Sequence, residues 1–390
     1  MRLWAAAGLA VVTAALGAGA ALLAVSATEL LDETTTTAVA EAAPPPGTTP
    51  APVSSGRFDP RAVYASRAPG VVTIYARLGQ DGTSQGSGFV VDREGVILTN
   101  AHVITNVAES PGDVRGATAV YVEFTDGERV EAELVGWDLF SDVGVLRVRP
   151  ADHTVAPVPL GVSSRVVVGE PVAAIGSPFG QQTSLSVGVV SAIGRSIDSL
   201  TSTFAVANAI QIDAPINRGN SGGPLFDATG RVIGINAQIQ STSGTAEGVG
   251  FAIPIDLAKR SLDQLLRTGR VRYAYIGVST QDVTPGIAQE FDLEAQRGAL
   301  ITRVESGTPA AAAGLRGGSR TEIFNGLDVT LGGDLIVAIA GSPVRSADDV
   351  SRLVTTRLRP GQRVPFTILR GGTRKLTIDV ELGDRPSGSG

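Results

Sequence analysis

The sequence predicts a mostly β protein of more than one domain behind an N-terminal transmembrane helix. Three observations carry that reading. Glycine is abundant, at 48 of 390 residues, while aromatic residues make up only 5%; this balance suits short strands joined by tight turns better than a helical bundle. Strand-like apolar runs recur from Val71 to Ile253 with little helical periodicity between them. The first stretch, Leu3 to Thr28, is uncharged, and its roughly 26 positions exceed the ~20 that span a bilayer core as a helix.

Taken in order, residues 1–30 form the anchor or signal segment. Val25-Ser26-Ala27 resembles a small-residue cleavage site, but the apolar run is longer than a signal core, which favours an uncleaved anchor. In either case Arg2 stays inside and the remainder is exported. Residues 31–57 are rich in Thr, Ala and Pro, with Pro44-Pro45-Pro46 at their centre. Such a segment cannot bury a core and reads as an extended linker.

A first domain over 58–268 contains the strand patterns Val71–Tyr75, Gly88–Val91, Val143–Val148, Val232–Ile235 and Gly250–Ile253. Many strands with glycine-rich turns indicate antiparallel barrels or sandwiches. The spacing of Ile255, Leu257, Leu262, Leu265 and Leu266 predicts a helix ended by Thr268-Gly269-Arg270. A second domain over 271–384 mixes strands with a helix that Ser346 should cap, Asp349 lying in the capping-box position.

Composition narrows the chemistry. A net charge of −6 argues against a nucleic-acid binder, which needs a basic face to release counterions. The absence of cysteine removes disulfides, thiolate nucleophiles and cysteine-ligated zinc. With two histidines, His102 and His153, a histidine-rich metal site is not expected, and an imidazole base has two candidates. His153 lies in a polar turn and reads as a solvated loop residue.

The strongest chemical signal is Gly219-Asn220-Ser221-Gly222-Gly223-Pro224. A serine alcohol needs a base to attack, and glycines around it allow a tight turn that aims the N–H groups of Gly219 and Ser221 at one point. The second signal is Thr99-Asn100-Ala101-His102-Val103, where a strand runs into a turn bearing the histidine. The third is Ser141-Asp142-Val143-Gly144-Val145-Leu146, where an acid opens an apolar strand and can orient an imidazole. Singly, these read as a hairpin loop, a structural histidine and a turn residue. Together, in the order His, Asp, Ser at intervals of about 40 and 80 residues, they form a candidate triad in the chymotrypsin-like order.

These blocks resemble those of the HtrA (Deg) serine proteases, as do Gly176–Gly180, Gln211–Asn217 and Gly248–Pro254. The resemblance spans roughly Val63 to Leu382. It implies a chymotrypsin-like pair of six-stranded β-barrels with His102, Asp142 and Ser221 in the cleft between them, followed by one PDZ domain. An acid precedes the serine in digestive relatives and pairs with a new chain terminus; here the position is Asn220, so the resemblance implies loop rearrangement to assemble the oxyanion site of Gly219 and Ser221. The strand through Asn236, Ala237 and Gln238 is expected to pair with extended substrate. Tyr275-Ile276-Gly277-Val278 resembles a PDZ carboxylate-binding loop, with the helix Asp348 to Val354 as the opposite wall.

The implied activity is cleavage of unfolded or mislocalised exported proteins outside the cytoplasmic membrane, with no metal or other cofactor and no nucleotide. Implied partners are those substrates, peptide C-termini at the PDZ groove, the membrane through the N-terminal helix, and two further copies in a homotrimer contacting at Phe58 to Tyr64. The competing reading is a PDZ-based peptide-binding scaffold or chaperone with dormant protease activity.

Overall fold

Continuous apolar strands, rather than alternating ones, follow from a chain in which both faces of a strand are covered. The computed structural model describes residues 58–110, 112–177, 183–217, 219–237 and 248–386. A short helix α1 (Pro60–Arg67) leads into a closed antiparallel barrel of β1 (Val71–Arg77), β2 (Thr83–Val90), β3 (Val96–Thr99), β4 (Ala119–Glu123), β5 (Arg129–Asp138) and β6 (Val143–Arg147). A second closed barrel follows, made of β7 (Pro171–Gly176), β8 (Ser184–Ile197), β9 (Val206–Ile212), β10 (Pro224–Phe226), β11 (Val232–Ala237) and β12 (Gly250–Pro254).

The period of two then sorts side chains between two destinations. Val72, Ile74, Ile97 and Leu146 fill the first barrel, and Val172, Ala174, Ile210, Leu225 and Ile233 fill the second. Their neighbours Val71, Leu98, Val143, Val145, Ala173, Ile175, Phe226 and Ile235 point the other way and form one shared core. Into that core also packs the helix that follows β12, contributing Ile255, Leu257, Ala258 and Leu265. The sequence left barrels and sandwiches open; closure of both sheets settles it.

That helix spans Ile255–Thr268, and Gly269 ends it at φ 67° with its N–H on Leu265 O at 2.9 Å, the left-handed stop that glycine adopts without a Cβ penalty. Counting the one-turn helix α2 (Ala101–Ile104) after β3, it is α3.

The chain then builds a sheet in the order β14 (Val278–Val283), β15 (Gly298–Val304), β18 (Leu335–Ile339), β20 (Arg363–Arg370), β21 (Arg374–Glu381), with β19 (Ser342–Pro343) on β18. Short strands β13 (Ala274–Tyr275) and β22 (Gly383–Asp384) pair where this module begins and ends. Helices α4 (Pro285–Glu290), α5 (Pro309–Ala312) and α6 (Ala347–Arg357) complete it, around a core including Ile276, Ile301, Leu353, Phe366 and Val380. Among the described residues edge strand β14 has one unpaired side, and α6 meets β14 where Ala347 N–H donates to Asp282 Oδ1 at 2.7 Å. The stretch Gly317–Gly332 holds a separate hairpin, β16 (Arg320–Phe324) and β17 (Leu327–Leu331), turned by Asn325 and Gly326 with φ of 51° and 79°.

Residues 1–30 and 31–57, read above as membrane segment and linker, lie outside the described residues. Among the described residues no helix is long and apolar enough to cross a membrane. The expected cap of α6 is present: Ser346 Oγ accepts from Asp349 N–H at 3.2 Å, while the Asp349 carboxylate reaches back to Arg345 N–H at 2.9 Å. Replacing Ser346 by Ala should lower the stability of this module by about 1 kcal/mol in denaturant titrations, and Ser346→Asp should retain most of it.

Candidate active site

His102 sits on α2, held at its start by the turn out of β3, and Asp142 sits in the tight turn between β5 and β6. The two are locked by one carboxylate. Asp142 Oδ1 accepts the His102 backbone N–H at 3.0 Å and Oδ2 meets His102 Nδ1 at 2.8 Å. Asn100 adds a third tie, its Nδ2 donating to Asp142 O at 2.8 Å. Asp142 itself has φ 53°, a conformation rarely occupied by a non-glycine residue and kept only when the surroundings fix it.

With the carboxylate at Nδ1, the neutral ring carries its proton there and leaves Nε2 as the basic atom. The His102 side chain is only 15% exposed and that of Asp142 only 5%. Burial is the largest single influence on the ring and disfavours its charge. The Asp142 charge and hydrogen bond, with Glu109 further away, together outweigh it, so the pKa stands above the ordinary histidine value of 6.5.

Ser221 belongs to the second barrel, in the turn between β9 and β10, yet that turn is seated on the first. Ser87 of β2 donates its backbone N–H to Ser221 O at 2.8 Å. The Ser87 hydroxyl donates to Gly219 O at 2.5 Å and accepts from Ser177 N–H at 2.8 Å, and Thr99 Oγ1 donates to Ser87 O at 2.6 Å. Gly222, at φ 84°, could not be another residue: an added Cβ would lie 2.2 Å from Ser87 O and 2.3 Å from Thr99 Oγ1. The Ser221 hydroxyl is buried and has no hydrogen-bond partner among the described residues. Ser221 and the His102–Asp142 pair are thus brought to one seam between the barrels without a bond joining hydroxyl to ring.

Gly219 has φ 100°, consistent with the tight turn expected of it. Asn236 lies on β11 as expected and is tied to the serine turn. Its backbone N–H donates to Gly223 O at 2.8 Å, its carbonyl accepts from Gly222 N–H at 2.9 Å, and its side chain donates to Pro224 O at 3.1 Å. It braces the serine turn from behind through its backbone N–H and carbonyl. Ala237 follows at the end of β11, and Gln238 lies outside the described residues. In the second module, Tyr275, Ile276, Gly277 and Val278 form the turn between β13 and β14; Gly277 has φ 83°, and a Cβ there would strike Thr308 at 2.3 Å. His153 is not freely solvated as expected: its ring stacks on Phe124 at 3.8 Å between centroids, and Nε2 lies 2.9 Å from Asp126 Oδ2.

Comparison with known proteins agrees with this fold. The trypsin-like peptidase domain family matches residues 86–235, and the PDZ domain family matches residues 274–382. The chain is 40% identical over 314 residues to a probable periplasmic serine endoprotease DegP-like of Hahella chejuensis, across 80% of this chain and 60% of that protein. It is 38% identical over 304 residues to Protease Do-like 1, chloroplastic, of Arabidopsis thaliana, across 78% of this chain and 64% of that protein. The solved structure of the HtrA-type protease AlgW with tripeptide is 33% identical, with a TM-score of 0.69, across 85% of this chain and 99% of that one. This chain belongs to the HtrA-type proteases.

As an HtrA-type chain it spans about 60% of the length of the Hahella relative. The residues that sequence reasoning passed over in it are Ser87, Thr99 and Asn100, which carry no reactive group and act through hydrogen bonds to the turns around them. Replacing Asp142 by Asn should remove the charge that holds the His102 pKa up. A histidine NMR titration is expected to place His102 below its wild-type value.

Proposed function

We propose that this HtrA-type chain is a serine endopeptidase, with Ser221 as nucleophile, His102 as general base and Asp142 as the group that orients the ring. The observation that carries the proposal is the 2.8 Å contact of Asp142 with His102 Nδ1 at the seam where the glycine-flanked Ser221 turn is seated. Nε2 would take the Ser221 proton as Oγ attacks a peptide carbonyl, then pass it to the leaving amine. Water activated by the same nitrogen would release the acyl-enzyme. The N–H groups of Gly219 and Ser221 would receive the oxyanion, a contribution worth roughly 3–4 kcal/mol of barrier per donor. The unpartnered Ser221 hydroxyl fits an enzyme whose hydroxyl–imidazole bond forms only with substrate in place.

The substrates proposed are unfolded or mislocalised exported proteins, entering as a strand beside Ala237 and Gln238. The loop Tyr275–Val278 and helix α6 would take peptide C-termini and regulate cleavage. The relatives named periplasmic support an extracytoplasmic protease, in keeping with the apolar stretch Leu3 to Thr28 as a single-pass anchor. A homotrimer contacting through Phe58 to Tyr64 completes the proposal. Regulated release of a resting state also bears on the competing scaffold reading, in which catalysis stays dormant.

The wild-type chain should degrade unfolded casein, with the Ser221→Ala chain inert; equal degradation by both would defeat the proposal. Because only neutral His102 can accept the proton and its pKa lies above 6.5, kcat/KM should fall as pH drops through a value higher than an ordinary histidine gives. A pH–rate profile still flat at pH ~5 would contradict the assigned base.

A further inference from the structure

Just ahead of Asp142, at the last position of β5, lies a second buried carboxylate that the proposed chemistry does not use. Asp138 is only 2% exposed. Its Oδ1 accepts the Phe140 N–H at 3.0 Å. Its Oδ2 accepts three hydroxyls: Ser141 Oγ, Ser261 Oγ at 2.6 Å and the Tyr273 phenol at 2.6 Å. No cation bonds to it among the described residues; Arg260 and Arg385 lie instead over the Tyr273 ring, 5.4 and 5.2 Å from its centroid.

The donors come from three separate parts of the chain. Phe140 and Ser141 belong to the turn that ends in Asp142, Ser261 belongs to α3, and Tyr273 belongs to the segment joining α3 to the second module. A buried carboxylate without an ion pair is tolerated only while its hydrogen bonds are made. Shifting the turn, the helix or the joining segment alone would cost this buried carboxylate a donor, so the three are tied to one group. Burial and the neighbouring Asp138 push the Tyr273 phenol far above its ordinary range, so it stays a donor at any working pH.

The turn needs such an anchor, because Asp142 stands at φ 53°, where an L residue is not held by its own preference. We infer that Asp138 is a positioning residue for Asp142, using Ser261 and Tyr273 as fixed points, so that the joining segment of the second module is part of the framework of the active site. The same anchors reach the helix beside β14. Arg260 donates to Thr355 O and, at 2.9 Å, to Leu358 O at the end of α6. Arg385 donates to Thr355 Oγ1 at 3.0 Å, and its backbone N–H meets Tyr273 O at 2.9 Å. The inference rests on the catalytic roles proposed for Asp142 and His102.

The test uses the full chain and two variants, Tyr273→Phe and Asp138→Asn, with Arg272→Ala on the same segment as control. Among the described residues the Arg272 side chain bonds only to Asp384, in an exposed ion pair, and its backbone bond to Gln264 survives the substitution. In a Ser221→Ala background, histidine NMR titration reads the placement of Asp142 without any turnover, and two histidines make assignment direct. Tyr273→Phe should lower the His102 pKa and, with Ser221 restored, cut kcat at least about tenfold at unchanged KM, since ångström-scale misplacement of catalytic groups costs up to ~100-fold. The double variant should add little to either single one, and Arg272→Ala should change neither reading. A folded Tyr273→Phe chain with wild-type kcat and wild-type His102 titration overturns the inference. Should Asp138→Asn fail to fold, Tyr273→Phe decides alone, because it removes one hydroxyl and keeps the ring. If casein cleavage proves independent of Ser221, the protease proposal fails, while a lowered His102 pKa would still establish the anchoring role.

Discussion

One carboxylate that grips one residue twice is the interaction on which the rest depends. Asp142 holds the backbone N–H and the ring of His102 together, so imidazole orientation is fixed relative to its own main chain rather than to a distant support. That arrangement needs a left-handed aspartate, and the left-handed aspartate needs a rigid turn. Asn100 restrains the turn at its carbonyl and Asp138 restrains it from below. The hydrogen bonds are short-range, so the geometry of the base is decided by residues that do no chemistry themselves.

The second constraint is steric. The Ser221 turn belongs to one barrel and is seated on the other, with the Gly222 backbone packed against Ser87 and Thr99 closer than any side chain allows. Apolar residues pointing out of both barrels make the shared core that keeps this seam closed. Burial at roughly 25 cal/mol per Å2 drives that closure without choosing its register. Register comes from the polar seam, where the N–H, carbonyl and hydroxyl of Ser87 meet four different partners.

Much of this was legible in the sequence because it is local. Glycines flanking Ser221, the acid opening an apolar strand, the cap at Ser346 and the glycine after α3 each declare a backbone conformation at their own position. The Asn325-Gly326 pair is likewise a local turn signal between two strand-like runs, and it turns the extra hairpin. What was not legible is non-local. Barrel closure depends on the last strand of a sheet finding the first. Ser87 and Asp138 look like ordinary polar residues until folding surrounds them with donors, and Asn236 lies on the expected strand but spends its backbone groups on the serine turn. The packing of His153 is non-local in the same way, since Phe124, its stacking partner, lies far away in sequence.

The central claim is that Ser221 is a nucleophile made reactive by His102 and Asp142. It is tested most directly by treating the folded chain with a fluorophosphonate and locating the adduct by mass spectrometry. The account predicts one adduct, on Ser221, whose formation slows by orders of magnitude in His102→Ala. Modification elsewhere, or a rate at Ser221 unaffected by loss of the imidazole, would contradict it.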